Sequence, residues 1–345
     1  MYECGKTRKS IFLRSAAAFC AALLLCGGNA LAAEDGSAAP RTLIPVGHTV
    51  GIKMYAHGVL VVDLPEGTTP ARQCGLKKGD VILQCGGTAV TSTEQFQAML
   101  QDSCGTAVEL EVRRSGDRRT VSVTPEETAD GGYAIGAWIR DSMAGIGTVT
   151  YYDPETGNFG ALGHGINDVD TRQLMPFASG EILPSSVKAV KRGESGSAGQ
   201  LKGDFDLTSS LGILYANTEC GVFGRTDGPL LPEMGEALPV ASAEEICTGP
   251  AVIRCNVEGD RVADYAVEIV RLFDDPGDPR DLLLKVTDPQ LLTLTGGIVQ
   301  GMSGSPILQN GRIVGAVTHV LVNDPTRGYG IFIENMLEAA GGSNG

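Results

Sequence analysis

The sequence has few aromatic residues and fewer basic than acidic ones. Phenylalanine, tryptophan and tyrosine make up 5% of the 345 residues, whereas glycine occurs 47 times. Together with many short Val/Ile runs, this composition favours β structure with tight turns over a helical bundle. Lysine and arginine (27) are outnumbered by aspartate and glutamate (41), which gives a net charge of −14. That charge argues against nucleic acid as a partner and against electrostatic docking on anionic lipid.

A C-x-x-C pair is also lacking, although the chain has nine cysteines. Zinc sites commonly use such closely spaced pairs, so the sequence predicts no metal site and no cofactor. Six cysteines follow residue 32, and an even number permits disulfides after export. Cys247–Cys255 is the most plausible pair, and buried free thiols are the equally weighted alternative.

The longest apolar run near the N-terminus, residues 15–26, is short for a membrane span. Four basic residues precede it and Ala30-Leu31-Ala32 follows it, which is the order typical of an export signal. We therefore expect residues 1–32 to be a signal peptide or an N-terminal membrane anchor. Residues 33–42 are rich in Ala, Ser, Gly and Pro and predict a flexible tether.

The segment 70–83, PARQCGLKKGDVIL, resembles the signature of PDZ domains, and a predicted helix at 91–100 follows it. We expect a PDZ domain over residues 43–125. PDZ domains add an extended chain to a sheet edge, and a loop of backbone N–H groups holds its terminal carboxylate. By this resemblance Val50, Gly51 and Ile52 form that loop, and a peptide or a C-terminal tail is the expected partner.

From residue 133 to residue 345 the pattern is one of many short strands separated by Gly, Pro and Asp turns. Helical periodicity is weak until the last segment, where 333–340 predicts a terminal helix. A run of this length with short strands fits a single β-barrel or sandwich domain.

A candidate nucleophile lies in the segment 301–306, GMSGSP, directly before a hairpin that turns at Asn310-Gly311. Glycines on both sides of a serine let the backbone turn sharply and aim successive N–H groups at one point. Ser303 is the expected nucleophile, and Ser305 is the alternative.

A serine nucleophile needs a base, usually a histidine that a carboxylate orients. The chain has four histidines, and His164 lies between two glycines, where its ring is accessible from both sides. His319, in the strand after the hairpin, is expected in a wall or core. Asp288 lies 15 residues before the serine and is favoured modestly as the carboxylate, with Asp168 and Asp170 as rivals because they are near His164 in sequence.

Four segments together resemble the SpoIVB peptidase family: GALGHGI, GGIVQGMSGSP, GAVTHV and NDPTRGYGIFIENML. The resemblance implies a catalytic triad of His164, Asp288 and Ser303, in the chain order of chymotrypsin. The oxyanion hole would use the N–H groups of Gly301 and Ser303. The implied fold is mainly β, with the PDZ domain followed by a chymotrypsin-like β-barrel peptidase domain at 133–345.

The same resemblance implies a serine endopeptidase of sporulation signalling that processes itself. Its substrate would be a membrane-associated regulator of an intramembrane metalloprotease. Cleavage of the regulator would allow that metalloprotease to activate a late sporulation sigma factor. The implied location is the intermembrane space of the developing spore, reached by export across the forespore inner membrane. The alternatives are a non-catalytic PDZ scaffold and a general envelope quality-control serine peptidase.

Overall fold

Strands dominate the computed structural model, which describes residues 41–273, 275 and 278–342. The predicted leader (1–32) and residues 33–40 of the predicted tether lie outside these residues, and Thr42 already begins the first strand. Within the described ranges, no helix has the length and apolar character needed to cross a membrane.

The strands are β1 (Thr42–Pro45), β2 (Thr49–Asp63), β3 (Val81–Cys85), β4 (Thr88–Ala89), β5 (Val108–Arg114), β6 (Asp117–Val123), β7 (Glu126–Glu127), β8 (Tyr133–Ala134), β9 (Trp138–Tyr152), β10 (Asn158–Ala161), β11 (Phe177–Lys191), β12 (Gln200–Phe205), β13 (Gly212–Thr218), β14 (Gly221–Arg225), β15 (Leu238–Pro239), β16 (Gly249–Glu258), β17 (Arg261–Leu272), β18 (Leu282–Val286), β19 (Pro306–Gln309), β20 (Arg312–Val320) and β21 (Arg327–Phe332). The helices are α1 (Pro70–Gln73), α2 (Thr93–Asp102), α3 (Pro289–Thr295) and α4 (Ile333–Gly342), with a 3₁₀ turn at Ala243–Glu245.

The first barrel is formed by β2, β9, β10, β14, β13 and β11. Each of these strands pairs antiparallel with the next in that order, and β11 pairs back onto β2, which closes the ring. Its interior is filled by apolar side chains from alternating positions, including Val149, Phe159, Ile182 and Val222, each fully buried.

The second barrel is closed in the order β16-β17-β18-β21-β20-β19. Ile253, Ile269, Leu284 and Val317 are fully buried inside it. The predicted β-barrel fold is confirmed, and the structure adds a detail that the sequence did not predict. The strands after residue 133 complete two barrels, because the first one also needs β2 from the N-terminal segment.

The PDZ unit lies between the first two strands of the first barrel. β3, β5 and β6 extend the C-terminal half of β2 into a second sheet, and α2 packs on it through Phe96 and Leu100. β2 and β9 therefore belong to both units, because one half of each strand pairs in the barrel and the other half pairs beside the PDZ sheet. The boundaries at 43, 125 and 133 stay a prediction, and in the structure β1 and the first half of β2 pair with barrel strands.

All six described cysteines are free thiols, so the Cys247–Cys255 disulfide that we considered is not formed. Cys255 points into the core of the second barrel, whereas Cys247 is exposed ahead of β16. Burial raises the pKa of the Cys255 thiol and disfavours the reactive thiolate. Cys255 therefore acts as a small apolar core residue.

Candidate active site

The loop between α3 and β19 presents Ser303 on a backbone that only glycine can follow. Gly301 and Gly304, on either side of Ser303, have φ of 98° and 97°. A Cβ at Gly304 would lie 2.0 Å from the Thr148 carbonyl oxygen in β9, so no side chain fits there. Thr148 also donates from its backbone N to the Ser303 carbonyl (3.0 Å) and from Oγ1 to the Gly301 carbonyl (2.7 Å). The nucleophile loop of the second barrel is thereby attached to a strand of the first.

The two serines of this loop have different surroundings. Ser305 is fully buried, and its hydroxyl donates to the Met302 carbonyl at 2.7 Å. Ser303 is only half-buried and lines a cleft of about 430 Å³. Of these two serines, Ser303 lines the cleft and Ser305 does not.

His164 follows β10 and reaches the same cleft from the first barrel. Leu162 and Gly163 both have left-handed φ (70° and 68°), so the chain turns sharply just before the histidine. The His164 Nδ1 lies 2.8 Å from the Gly165 carbonyl oxygen. Since a carbonyl can only accept, Nδ1 carries the proton and Nε2 has the free lone pair. Burial lowers the pKa of His164, so the ring is neutral at pH 7 and able to act as a base.

Ser303 and His164 share the cleft without yet being hydrogen-bonded to each other. The Ser303 hydroxyl donates to the Thr318 carbonyl oxygen at 2.6 Å. This hydrogen bond has to break before the hydroxyl proton could pass to Nε2 of His164. Such loose geometry is common in serine enzymes without substrate.

The backbone N–H groups of Gly301 and Ser303 have no acceptor among the described residues, whereas those of Met302, Gly304 and Ser305 bond to carbonyl oxygens. Gly301 and Ser303 are the two positions predicted for the oxyanion hole. Unpaired donors beside a nucleophile can stabilise negative charge that develops on a carbonyl oxygen. This part of the prediction is compatible with the structure.

The structure does not bring Asp288 to His164. The Asp288 carboxylate caps α3, accepting from the Gln290 and Leu291 N–H groups at 2.8 and 3.0 Å and from the Ala266 N–H at 3.3 Å. Pro289, which was expected to hold the carboxylate in place, starts this helix. Asp288 is absent from the cleft, and the group that orients the His164 ring is the Gly165 carbonyl.

The rival carboxylates are also engaged elsewhere. Asp168 is fully buried, forms an ion pair with Arg140 and accepts the N–H groups of Asp170 and Thr171. Asp170 pairs with Arg140 at 3.0 Å. Both carboxylates stabilise the loop after His164, and among the described residues no carboxylate is hydrogen-bonded to its ring.

The predicted carboxylate-binding loop at Val50, Gly51 and Ile52 is not formed. These residues lie near the start of β2 and pair on one side with β9 and on the other with β11. With neighbours on both sides, their N–H groups cannot gather around a peptide carboxylate. Ile52 instead helps to line the cleft of Ser303 and His164.

The edge of the PDZ sheet at β2 is covered by the chain itself. Residues 138–140 pair antiparallel with the PDZ half of β2, and the segment before them runs beside α2. Gln101 both donates to and accepts from the Tyr133 backbone (2.9 and 2.8 Å), and the Asp141 carboxylate accepts the Thr93 N–H at 2.7 Å. This segment fills the position of an added strand.

Sequence reasoning missed two contributors to the site. The Gly165 carbonyl could not be found, because backbone groups leave no residue-type signal. His319 was assigned to a wall or core, yet its ring centroid lies 4.8 Å from that of His164. Its place on β20, the second strand of the hairpin that follows Ser303, was the available signal.

Comparison with protein-family models gives two matches. The family model described as SpoIVB peptidase S55 matches residues 131–337, more than half of the chain. The chain belongs to this family. A PDZ domain model matches residues 46–124, which confirms the predicted PDZ domain.

Curated relatives match only over short stretches. Serine protease HTRA1 of Xenopus tropicalis is 37% identical over 78 residues, covering 19% of this chain and 17% of that protein. Zinc metalloprotease RasP of Oceanobacillus iheyensis is 32% identical over 59 residues, covering 17% and 14%. The chain thus spans less than a quarter of the length of these relatives. Among solved structures, the active form of the Rv3671c protease from M. tuberculosis matches with a TM-score of 0.31 and 16% identity, over 59% of this chain and 74% of that one.

Proposed function

We propose that this S55 peptidase is a serine endopeptidase in which Ser303 attacks the peptide carbonyl and His164 Nε2 takes the serine proton. The observation that carries the proposal is the meeting of these two side chains in one cleft, each supplied by a different barrel. The Gly165 carbonyl fixes the tautomer that leaves Nε2 free. The N–H groups of Gly301 and Ser303 receive the developing oxyanion.

In the reaction, the proton taken by His164 is returned to the leaving amine, and water then releases the acyl group from Ser303 by the same steps. The Ser303 hydroxyl first leaves the Thr318 carbonyl. Substrate backbone entering the cleft can compete for that carbonyl, so binding and activation of the serine would be linked.

For the biological role we propose processing of the chain itself and cleavage of a membrane-associated regulator of an intramembrane metalloprotease during sporulation. Membership of the S55 family supports this role. The exported location proposed above, between the two spore membranes, is where such a regulator would be accessible. The PDZ unit supports a protein rather than a small molecule as substrate.

The test compares the purified chain with its Ser303→Ala variant, using labelling by a fluorophosphonate and cleavage of a fluorogenic peptide library. We expect both signals in the wild type and neither in the variant, while Ser305→Ala keeps labelling if it folds. Labelling that persists in Ser303→Ala would contradict the assignment, and a wild type without either signal would favour the non-catalytic scaffold.

The substrate is tested separately, with the extracytoplasmic domain of the regulator and an unfolded protein such as casein as alternatives. Cleavage of the regulator at one or a few positions supports the sporulation role. Preferred, unselective digestion of casein would instead indicate a quality-control peptidase.

A further inference from the structure

A second imidazole lies against the proposed general base. His319, on β20, has its ring centroid 4.8 Å from that of His164, with the two ring planes tilted by 35°. Both rings line the cleft beside Ser303. In a serine enzyme the residue beside the catalytic histidine is usually a carboxylate that orients it. An imidazole beside His164 therefore needs a different explanation.

The geometry argues against a proton relay between the two rings. His164 Nδ1 is already hydrogen-bonded to the Gly165 carbonyl, and its Nε2 is needed for the serine. The tilted contact instead places the ring of His319 directly against the ring of His164. A ring in that position restricts rotation of its neighbour and excludes water from one side.

We propose that His319 is a positioning residue that covers one face of the His164 imidazole, holds its plane toward Ser303 and keeps that face dry. This inference rests on the proposed function of His164. It assigns to His319 a steric and desolvating role for which the ring is needed and the ring nitrogens are not.

The charges around His319 are compatible with this role. Loss of hydration lowers the pKa of His319 to about 4, and the His164 ring and the Arg280 guanidinium act in the same direction. The Asp278 carboxylate opposes them, but it is ion-paired with Arg280. His319 is an exposed residue, so water moderates these effects. At pH 7 the ring is therefore neutral and adds no charge that would repel the imidazolium formed at His164.

Two substitutions separate the ring from its nitrogens. We expect His319→Ala to lower kcat/KM about tenfold or more, mainly through kcat, because the base loses its fixed orientation. In the plot of kcat/KM against pH, the acidic limb of His319→Ala should move to higher pH, toward the ordinary histidine pKa of 6.5. His319→Phe should retain activity within about threefold and keep the limb low, because a ring still covers His164.

An NMR titration gives a readout that does not need activity. In a Ser303→Ala background, the ring signals of His164 should titrate at a higher pH after His319→Ala and at an unchanged pH after His319→Phe. His57→Ala, an exposed histidine of the PDZ half, is the matched control and should change nothing. Thermal unfolding of each variant checks the fold.

The outcomes are distinct. Equal loss of activity in both variants would mean that a ring nitrogen is required, and an unchanged His164 titration in His319→Ala would mean that His319 is a bystander. Either result overturns the inference. Proteolysis that survives Ser303→Ala would overturn the proposed function instead, and the titration would still report on the two rings.

Discussion

Asp288 is the residue at which family resemblance and geometry differ most. Its carboxylate occupies the N-cap of α3 and accepts three backbone N–H groups, two of them in the first turn of the helix. Asparagine is an equally good N-cap, whereas alanine costs about 1 kcal/mol at such a position.

Substitution of Asp288 therefore distinguishes a cap from a triad member. We expect Asp288→Asn to keep kcat within a few-fold of wild type, and Asp288→Ala to lower the free energy of unfolding by about 1 kcal/mol. Peptide cleavage and urea unfolding measure the two effects. A loss of several orders of magnitude in kcat for Asp288→Asn, with unchanged stability, would restore it to the triad.

The lowered pKa of His164 determines how folding stability changes with pH. Because the folded state binds this proton less readily than the unfolded state, its contribution to stability is present above pH 6.5 and is lost as the pH falls below that value. We expect His164→Phe to reduce the decline in unfolding free energy between pH 7 and pH 5, as measured by urea titration. An identical decline in both proteins would show that His164 does not drive it.

Gly51 pairs with strands on both sides, so we expect it to support the first barrel instead of a peptide-binding loop. A Cβ at Gly51, in β2, would lie 2.7 Å from the Phe205 side chain in β12. The next residue of β2, Ile52, lines the cleft. We expect Gly51→Val to reduce small-peptide cleavage and protein cleavage together, at least about tenfold, because overpacking distorts the first barrel. Selective loss of protein cleavage alone would show instead that this position serves a separate recognition site.

At the scale of elements, β9 connects recognition and chemistry. Its first residues pair with the edge of the PDZ sheet, and residues 143–146 form one wall of the cleft. Asp141, between these two parts, ties the strand to the start of α2.

Loosening that tie should affect both ends of the strand. We expect Asp141→Ala to increase hydrogen exchange at residues 138–141, because the Thr93 N–H loses its acceptor and the strand its anchor. Exchange measured by mass spectrometry should rise less at β18, which serves as an internal reference. Unchanged exchange at 138–141 would mean that strand pairing alone holds this segment.

The elements that sequence predicted well are those whose signals are local. The glycines around Ser303, the Asn310-Gly311 turn and the PDZ signature each fix a short piece of backbone. The sharing of β2 and β9 depends on pairings between residues some 80 to 130 positions apart, which no short motif encodes. Likewise, a spacing of 15 residues does not fix the distance from Asp288 to an imidazole on another barrel.

For the whole molecule, the strands that the PDZ unit and the first barrel have in common imply that the two units unfold together. β2 and β9 pair along most of their length, so the PDZ sheet cannot separate from the first barrel without breaking that ladder. We expect residues 41–342 to unfold in one cooperative transition, with calorimetric and van't Hoff enthalpies in agreement. Two resolved transitions, one of them abolished by deletion of residues 64–137, would show that the units unfold independently.

The contact of Thr148 with the Ser303 loop has a consequence for the chain during folding. Ser303 and the proposed oxyanion donors lie on a loop that Thr148 of the other barrel contacts through two hydrogen bonds. A chain in which the two barrels have not yet met would contain both Ser303 and His164 without this contact. We therefore expect hydrolytic activity to appear only after both barrels have folded.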